Sequence, residues 1–217
     1  MRRLAHLLFT AALVAPAALT FTAPESAPLA SIDRLKTGNA TFAARPDAAL
    51  PITAERRTEL TKGQTPFASI LSCADSRVPP EVVFHTGLGD LFVVRAAGQV
   101  TDKSVLASLE YAAEHLHSPL IVVMGHESCG AVKAAIETPA TTSLGTNLDY
   151  LLKAIRPSVA ATSTEPEATR LRAAILRNVE ESLNDMVEGS PILKKMLEEG
   201  EIGVVGAYYE LGSACRT

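Results

Sequence analysis

The sequence predicts an α/β protein with a mainly parallel β-sheet flanked by helices and an N-terminal helical arm. Three observations carry that expectation. Four short apolar runs, rich in β-branched and aromatic residues, suit strands buried on both faces. Helical apolar patterns lie between them. Two motifs with metal-binding chemistry each follow one of the runs, at the carboxyl edge where sheets of this class gather their ligands.

Taken in order, Ser31 to Ala43 places Ile32, Leu35 and Phe42 around Gly38 and Asn39 and reads as the N-terminal helix. Phe67 to Ser72, after Gly63 and Pro66, reads as the first strand. Leu91 to Arg95 follows the turn residues Gly87, Gly89 and Asp90 and reads as the second. Val105, Leu109, Ala112 and Leu116 repeat at helical spacing after Asp102. Pro119 to Met124, ending at Gly125, is the third strand, and a helix opens at Ala131. Thr138 to Glu165, rich in Thr, Ala and Pro, reads as a surface excursion. Leu171, Ile175, Val179, Leu183 and Val187 then recur every four residues, with a capping box expected at Thr164 and Glu167 and a stop at Gly189. Ile202 to Tyr208 is the fourth strand.

The chain has 217 residues, 47% hydrophobic and 20% charged, which suits one core and a single domain over 31–217. A net charge of -4 and the lack of any dense Lys/Arg run argue against a nucleic-acid partner. Residues 1–30 read as a signal peptide and a Pro/Ala-rich segment: Arg2 and Arg3 precede an apolar stretch from Leu4 to Ala18, and Thr22 to Ala30 is rich in Pro, Ala and Ser. The expectation is export to the periplasm or medium, with no stable membrane span after signal removal. Three cysteines do not make a disulfide framework, and Cys215 reads as a bystander.

Cys73-Ala74-Asp75-Ser76-Arg77 and His126-Glu127-Ser128-Cys129-Gly130 hold the chemistry. Two thiolates and an imidazole satisfy zinc, with Asp75 or a water as the fourth ligand. An imidazole at a strand end and a thiol at the following helix start converge locally, and a helix N-terminus favours a thiolate. A bidentate Arg77 would keep Asp75 ionised and off the metal.

These residues resemble the β-class carbonic anhydrases of the plant-like branch. The likeness is carried by CADSRVPPE at Cys73 to Glu81, LFVVR, SLEYA at Ser108 to Ala112 and IVVMGHESCGAV at Ile121 to Val132. GNATF and VVGAYYEL extend it across about residues 31–212. The resemblance implies one Zn2+ per subunit held by Cys73, His126 and Cys129, with Asp75 joining the metal in a closed state, and Asp75 and Arg77 as a catalytic dyad. The implied reaction is reversible hydration of CO2 to bicarbonate and a proton. Zinc lowers the pKa of a bound water from about 15.7 to roughly 7 in well-known catalytic sites, and two thiolates should raise that value. The resemblance further implies a substrate pocket of Gln64, Phe92 and Tyr111, with the aromatic pair supplied by the neighbouring subunit of a homodimer or dimer of dimers. Ile70 stands where members with an inhibitory bicarbonate site carry tryptophan, so no such inhibition is expected. Ala96 replaces the usual Asn after the strand-end arginine, Arg95.

Two other readings use the same residues. One is a noncatalytic zinc-stabilised interaction protein with Asp75 as a permanent fourth ligand, which would need neither Arg77 nor Gln64. The other is a hydrolase of carbonyl sulfide or carbon disulfide. His85, His115 and His117 read as surface or helix-end residues.

Overall fold

The computed structural model describes residues 27–213 and 215–216; the signal segment falls largely outside them. The elements, in chain order, are α1 (Ala27–Ala44), α2 (Ala54–Glu59), β1 (Ala68–Ser72), α3 (Pro80–Val83), β2 (Leu91–Arg95), α4 (Lys103–Glu114), β3 (Leu120–His126), α5 (Gly130–Glu137), α6 (Leu148–Ala161), α7 (Glu167–Gly189), α8 (Pro191–Glu198), β4 (Gly203–Tyr209) and β5 (Cys215–Arg216). The sheet order is β2-β1-β3-β4-β5. The first four strands are parallel, and the two-residue β5 runs antiparallel along β4.

Every residue of β1 and β3 is buried, as their uninterrupted apolar character demands of central strands. Alternation of side chains across the strands divides the core into two. Leu120, Val122 and Met124 face one side with Leu35, Val132, Leu152 and Ile155, whereas Ile121 and Val123 face the other with Val105, Leu109 and Leu193. Helix α7 contributes to both cores through Ile175 and Val179.

The N-terminal arm is docked by more than apolar contact. Asn39 Nδ2 donates to Val83 O at 2.9 Å and Ser31 Oγ to Phe67 O at 2.8 Å. Arg34 lies 3.8 Å over the Phe67 ring while pairing with Asp90 at 2.9 Å. Gly38 sits so close to α3 that a Cβ would fall 1.8 Å from Phe84 O. Gly38 and Asn39, which break the apolar pattern in sequence, are therefore the residues that let the helix approach. The helix also starts at Ala27 rather than at Ser31.

Three local expectations need correction. Thr138 to Glu165 is not all excursion, because α6 occupies its second half and buries Leu152, Ile155 and Ser158. Its Ala, Thr and Pro content masks an apolar repeat through Leu151, Leu152, Ile155 and Val159. The Thr164/Glu167 capping box does not form: Pro166 is the N-cap of α7 and gives no side-chain hydrogen bond. The helix α4 ends at Glu114, short of Leu116, although its start is capped as Asp102 suggests, with Asp102 accepting from Val105 N at 2.8 Å. Among the described residues no helix is long and apolar enough to cross a membrane.

Candidate metal centre

The connection leaving β1 runs outward to β2, and the one leaving β3 turns the other way toward β4. The two loops therefore part at the carboxyl ends of adjacent strands, and such a topological switch opens a crevice. Register then brings the motifs together. Ser72 pairs with Met124, so Cys73, the next residue along, meets the Gly125-His126 end of β3.

Among the described residues, Cys73, His126 and Cys129 form a buried group whose ligand atoms all lie within 4.8 Å of one another. Zinc bonds to sulfur and imidazole nitrogen are about 2.3 and 2.0 Å, so one ion can bridge the three. His126 supplies the sharper test of fit. Its Nδ1 lies 2.9 Å from Glu127 O, which can only accept, so Nδ1 carries the proton and Nε2 is left with its lone pair. That Nε2 is buried and has no hydrogen-bond partner. A buried imidazole nitrogen that faces two sulfurs and has no hydrogen-bond partner is the arrangement a metal ligand requires.

The electrostatics agree. A hydrogen bond from the Cys129 thiol draws the Cys73 pKa well below the usual thiol range, against the opposing effect of burial, and Cys129 is pushed up by the same contact. Two buried sulfurs thus hold one proton between them, which a divalent cation would displace. Burial works against a charged His126 imidazole, but the adjacent Cys73 thiolate outweighs it and raises its pKa. Cys129 is the N-cap residue of α5, where the helix dipole favours negative charge.

Asp75 stands beside the group. Arg77 Nε donates to its Oδ1 at 2.8 Å, Nη2 to its Oδ2 at 2.7 Å, and the Arg77 backbone N–H to Oδ1 at 2.9 Å. The guanidinium holds the Asp75 carboxyl far below the ordinary carboxylate range. Asp75 Oδ2 is 3.9 Å from His126 Nε2, too long for a hydrogen bond. Arg77 Nη2 also reaches Ser128 O at 3.3 Å, tying the two motifs together across a residue in left-handed conformation, Ser128 at φ 56.

Arg95, beside the unusual Ala96, braces the first loop by donating from Nε to Cys73 O at 3.0 Å and from Nη2 to Asp75 O. Ala96 makes backbone bonds there, with Ser72 and Ala74 at 3.1 Å each and with Gln99 N at 2.9 Å. A buried turn, missed in the sequence, lies behind the site: Gly98 N–H donates to Cys73 Sγ at 3.3 Å.

Gln64, Phe92 and Tyr111 are elsewhere. Phe92 pairs with Ser69, four residues before Cys73, or roughly 13 Å back along β1 at ~3.3 Å per residue. Its ring centroid lies 6.3 Å from that of Tyr111, which is 48% exposed and 5.3 Å from the ring of His115. Gln64 precedes β1 and lines an open surface pocket with Arg57, Leu60, Lys62, Leu88 and Gly89. His85 and His117 sit at turns with positive φ, outside the cluster.

A family model described as carbonic anhydrase matches residues 68–215, more than half the chain. The chain belongs to the carbonic anhydrase family. Carbonic anhydrase 2 of Mycobacterium tuberculosis is 38% identical over 189 residues, covering 87% of this chain and 91% of that protein. A carbonic anhydrase of Pseudomonas aeruginosa is 32% identical over 173 residues, covering 76% and 78%. Among solved structures, a Coccomyxa β-carbonic anhydrase in complex with acetazolamide has a TM-score of 0.69 and 26% identity, covering 88% of this chain and 86% of that one. β-Carbonic anhydrases are zinc enzymes, and in this member of the family Cys73, His126 and Cys129 stand together as the possible zinc ligands.

Proposed function

We propose that this carbonic anhydrase family member catalyses the reversible hydration of CO2 to bicarbonate and a proton, with Cys73, His126 and Cys129 holding zinc and Asp75 and Arg77 acting as a catalytic dyad. The observation that carries the reading is the partnerless, buried His126 Nε2 facing two sulfurs while both Asp75 oxygens are engaged by Arg77.

When bound, zinc would supply Lewis-acid activation of water near neutral pH. The chain's own residues do the remainder. Arg77 keeps Asp75 ionised and restrained beside the cluster, so that its carboxylate would accept a hydrogen bond from the attacking water and orient it. Glu127 O fixes the imidazole tautomer, and burial of the three ligands excludes bulk solvent from behind the site. A permanently closed site with four protein ligands would need Asp75 to leave the Arg77 fork, which disfavours the noncatalytic reading.

Gln64 would hydrogen-bond bicarbonate, and Phe92 and Tyr111 would form an apolar wall for CO2. Their placement toward the opposite end of the sheet from Cys73 supports a homodimer in which one subunit lends these side chains to its partner's metal. The Arg2-Arg3 start and the apolar stretch that follows support export.

Stopped-flow CO2 hydration on protein of known metal content tests the proposal. Turnover that scales with bound zinc and is lost in Cys73→Ser supports it. Zinc-loaded protein with no hydration above pH 8 would overturn it, and turnover of carbonyl sulfide or carbon disulfide instead would move the assignment to those substrates.

A further inference from the structure

The turn Ala97–Gln99 follows β2 and places its Gly98 amide on Cys73 Sγ. To do so it holds two successive residues in the left-handed region, Gly98 at φ 63 and Gln99 at φ 46. For Gln99, which carries a side chain, that conformation is unfavourable, and it persists only where the surroundings impose it.

Helix α7 imposes it. Asn178 Nδ2 donates to Gly98 O at 2.8 Å, and Ser182 Oγ, one helical turn along, donates to Gln99 O at 3.2 Å. The two carbonyls of the strained turn are thus clamped by side chains at i and i+4 on one helix face. Ser158 Oγ of α6 donates to Asn178 Oδ1 at 3.4 Å and orients the carboxamide. Above Gly98 a Cβ would come within 2.9 Å of Ile155 Cδ1 and 3.2 Å of Ala131 Cβ, so the turn has no room to relax outward. Asn178 and Ser182 are buried in a face of α7 otherwise made by Ala174, Ile175, Val179 and Met186, and Ser158 is buried on α6. Apolar packing gives no reason for polar groups there, and each would be costly if left unpaired.

We propose that Asn178 is a positioning residue for the metal: with Ser182 it holds the Gly98 amide on Cys73 Sγ, so that the amide takes up part of the thiolate charge and sets how strongly this sulfur donates to zinc. An N–H bond to an ionised sulfur stabilises the charged form and lowers its donor strength. Groups one contact removed from a metal commonly alter its affinity by about 10–100-fold. The inference rests on the zinc assignment made above.

The test uses cobalt-substituted and zinc-loaded full-length protein. Asn178→Ala should weaken zinc roughly tenfold in chelator competition, because a loosened turn no longer fixes Cys73 Sγ among the ligands, and should shift the thiolate-to-cobalt charge-transfer band to lower energy, because the sulfur loses the amide. Ser182→Ala, which frees the Gln99 carbonyl rather than that of Gly98, should shift both readouts in the same sense by less, and it carries the test if Asn178→Ala does not fold. Met186→Ala, two turns further along α7, should lower the melting temperature without moving the band. An unmoved band and unchanged zinc affinity in the Asn178 variant, or in Ser182→Ala where that variant stands in, would overturn the inference. So would an equal band shift in Met186→Ala. Wild-type protein that takes up neither metal would instead overturn the zinc assignment, and this inference with it.

Discussion

Arg77 and Asp75 face each other through two parallel hydrogen bonds, Nε to Oδ1 at 2.8 Å and Nη2 to Oδ2 at 2.7 Å, with His126 Nε2 3.9 Å beyond Oδ2. Without the guanidinium, Asp75 would be free to turn toward the metal ligands. Arg77→Ala is expected to lower CO2 turnover by about 10–100-fold, the usual cost of losing an outer partner at a metal site. Undiminished turnover in the stopped-flow assay would remove the dyad from the mechanism. Because Arg77 also holds Ser128 O, Arg77→Lys should recover little, since an ammonium cannot make the fork.

Removal of zinc should also lower stability. A ligand that binds only the folded chain adds about 4 kcal/mol when present at a thousand times its dissociation constant. Chelation is therefore expected to lower the melting temperature of the wild type by several degrees and to leave Cys73→Ser, which has already lost a ligand, almost unchanged. Calorimetry of both proteins with and without chelator measures this, and equal shifts in the two would contradict it.

If Phe92 and Tyr111 serve the partner's metal, defects on different chains should complement. Cys73→Ser and Tyr111→Ala are each expected to be impaired as homodimers. A mixed dimer would contain one site with both defects and one with neither. Refolding the two together should then restore activity to about a quarter of the wild-type level, from half of the sites in half of the dimers on random pairing. Mixtures no more active than the sum of the separate variants would place Tyr111 at the metal of its own chain.

Helix α1 depends on Gly38. A methyl group there would meet Phe84 O at 1.8 Å, and a backbone carbonyl cannot step aside as a flexible side chain can. Gly38→Ala is expected to cost at least about 2 kcal/mol, at the upper range for overpacking, and to expose the arm to protease. Limited proteolysis and thermal melts read the two effects. A melting temperature within a degree of wild type would show that the helix can shift at no cost.

Asp149 provides a pH-dependent contribution away from the metal. Its carboxylate accepts from Leu144 N at 2.8 Å, Ser143 Oγ at 2.7 Å and Gly145 N at 3.0 Å, and these bonds, the Leu144 amide foremost, lower its pKa from 3.8. A lowered native pKa means that the unfolded chain binds the proton more readily. The stabilisation is then complete above about pH 4–5 and is lost as pH falls below the ordinary value. Asp149→Asn should melt below wild type at pH 7, with the gap closing under pH 4 in metal-free protein. A gap independent of pH would deny the carboxylate its role.

Much of this architecture was legible in the chain. The parallel sheet, the two loops at its carboxyl edge, and Cys73, His126 and Cys129 as partners follow from apolar runs and from residue types whose chemistry is specific. Strand burial and metal ligation leave strong local marks, because each restricts which side chains a position accepts. The helix α6 is hidden because it lies in a segment rich in Thr, Ala and Pro and carries Pro157 within its own apolar repeat.

The sequence by itself thus determined which side chains could hold zinc and which strands would carry them. Tertiary structure alone decided the rest. It set Phe92 four residues back from Cys73 in register and used Asn178 and Ser182 to hold a turn whose amide meets a sulfur. Those relations join residues up to 83 positions apart. They depend on strand register and helix docking, which are settled by packing of the whole core and leave no local pattern to read.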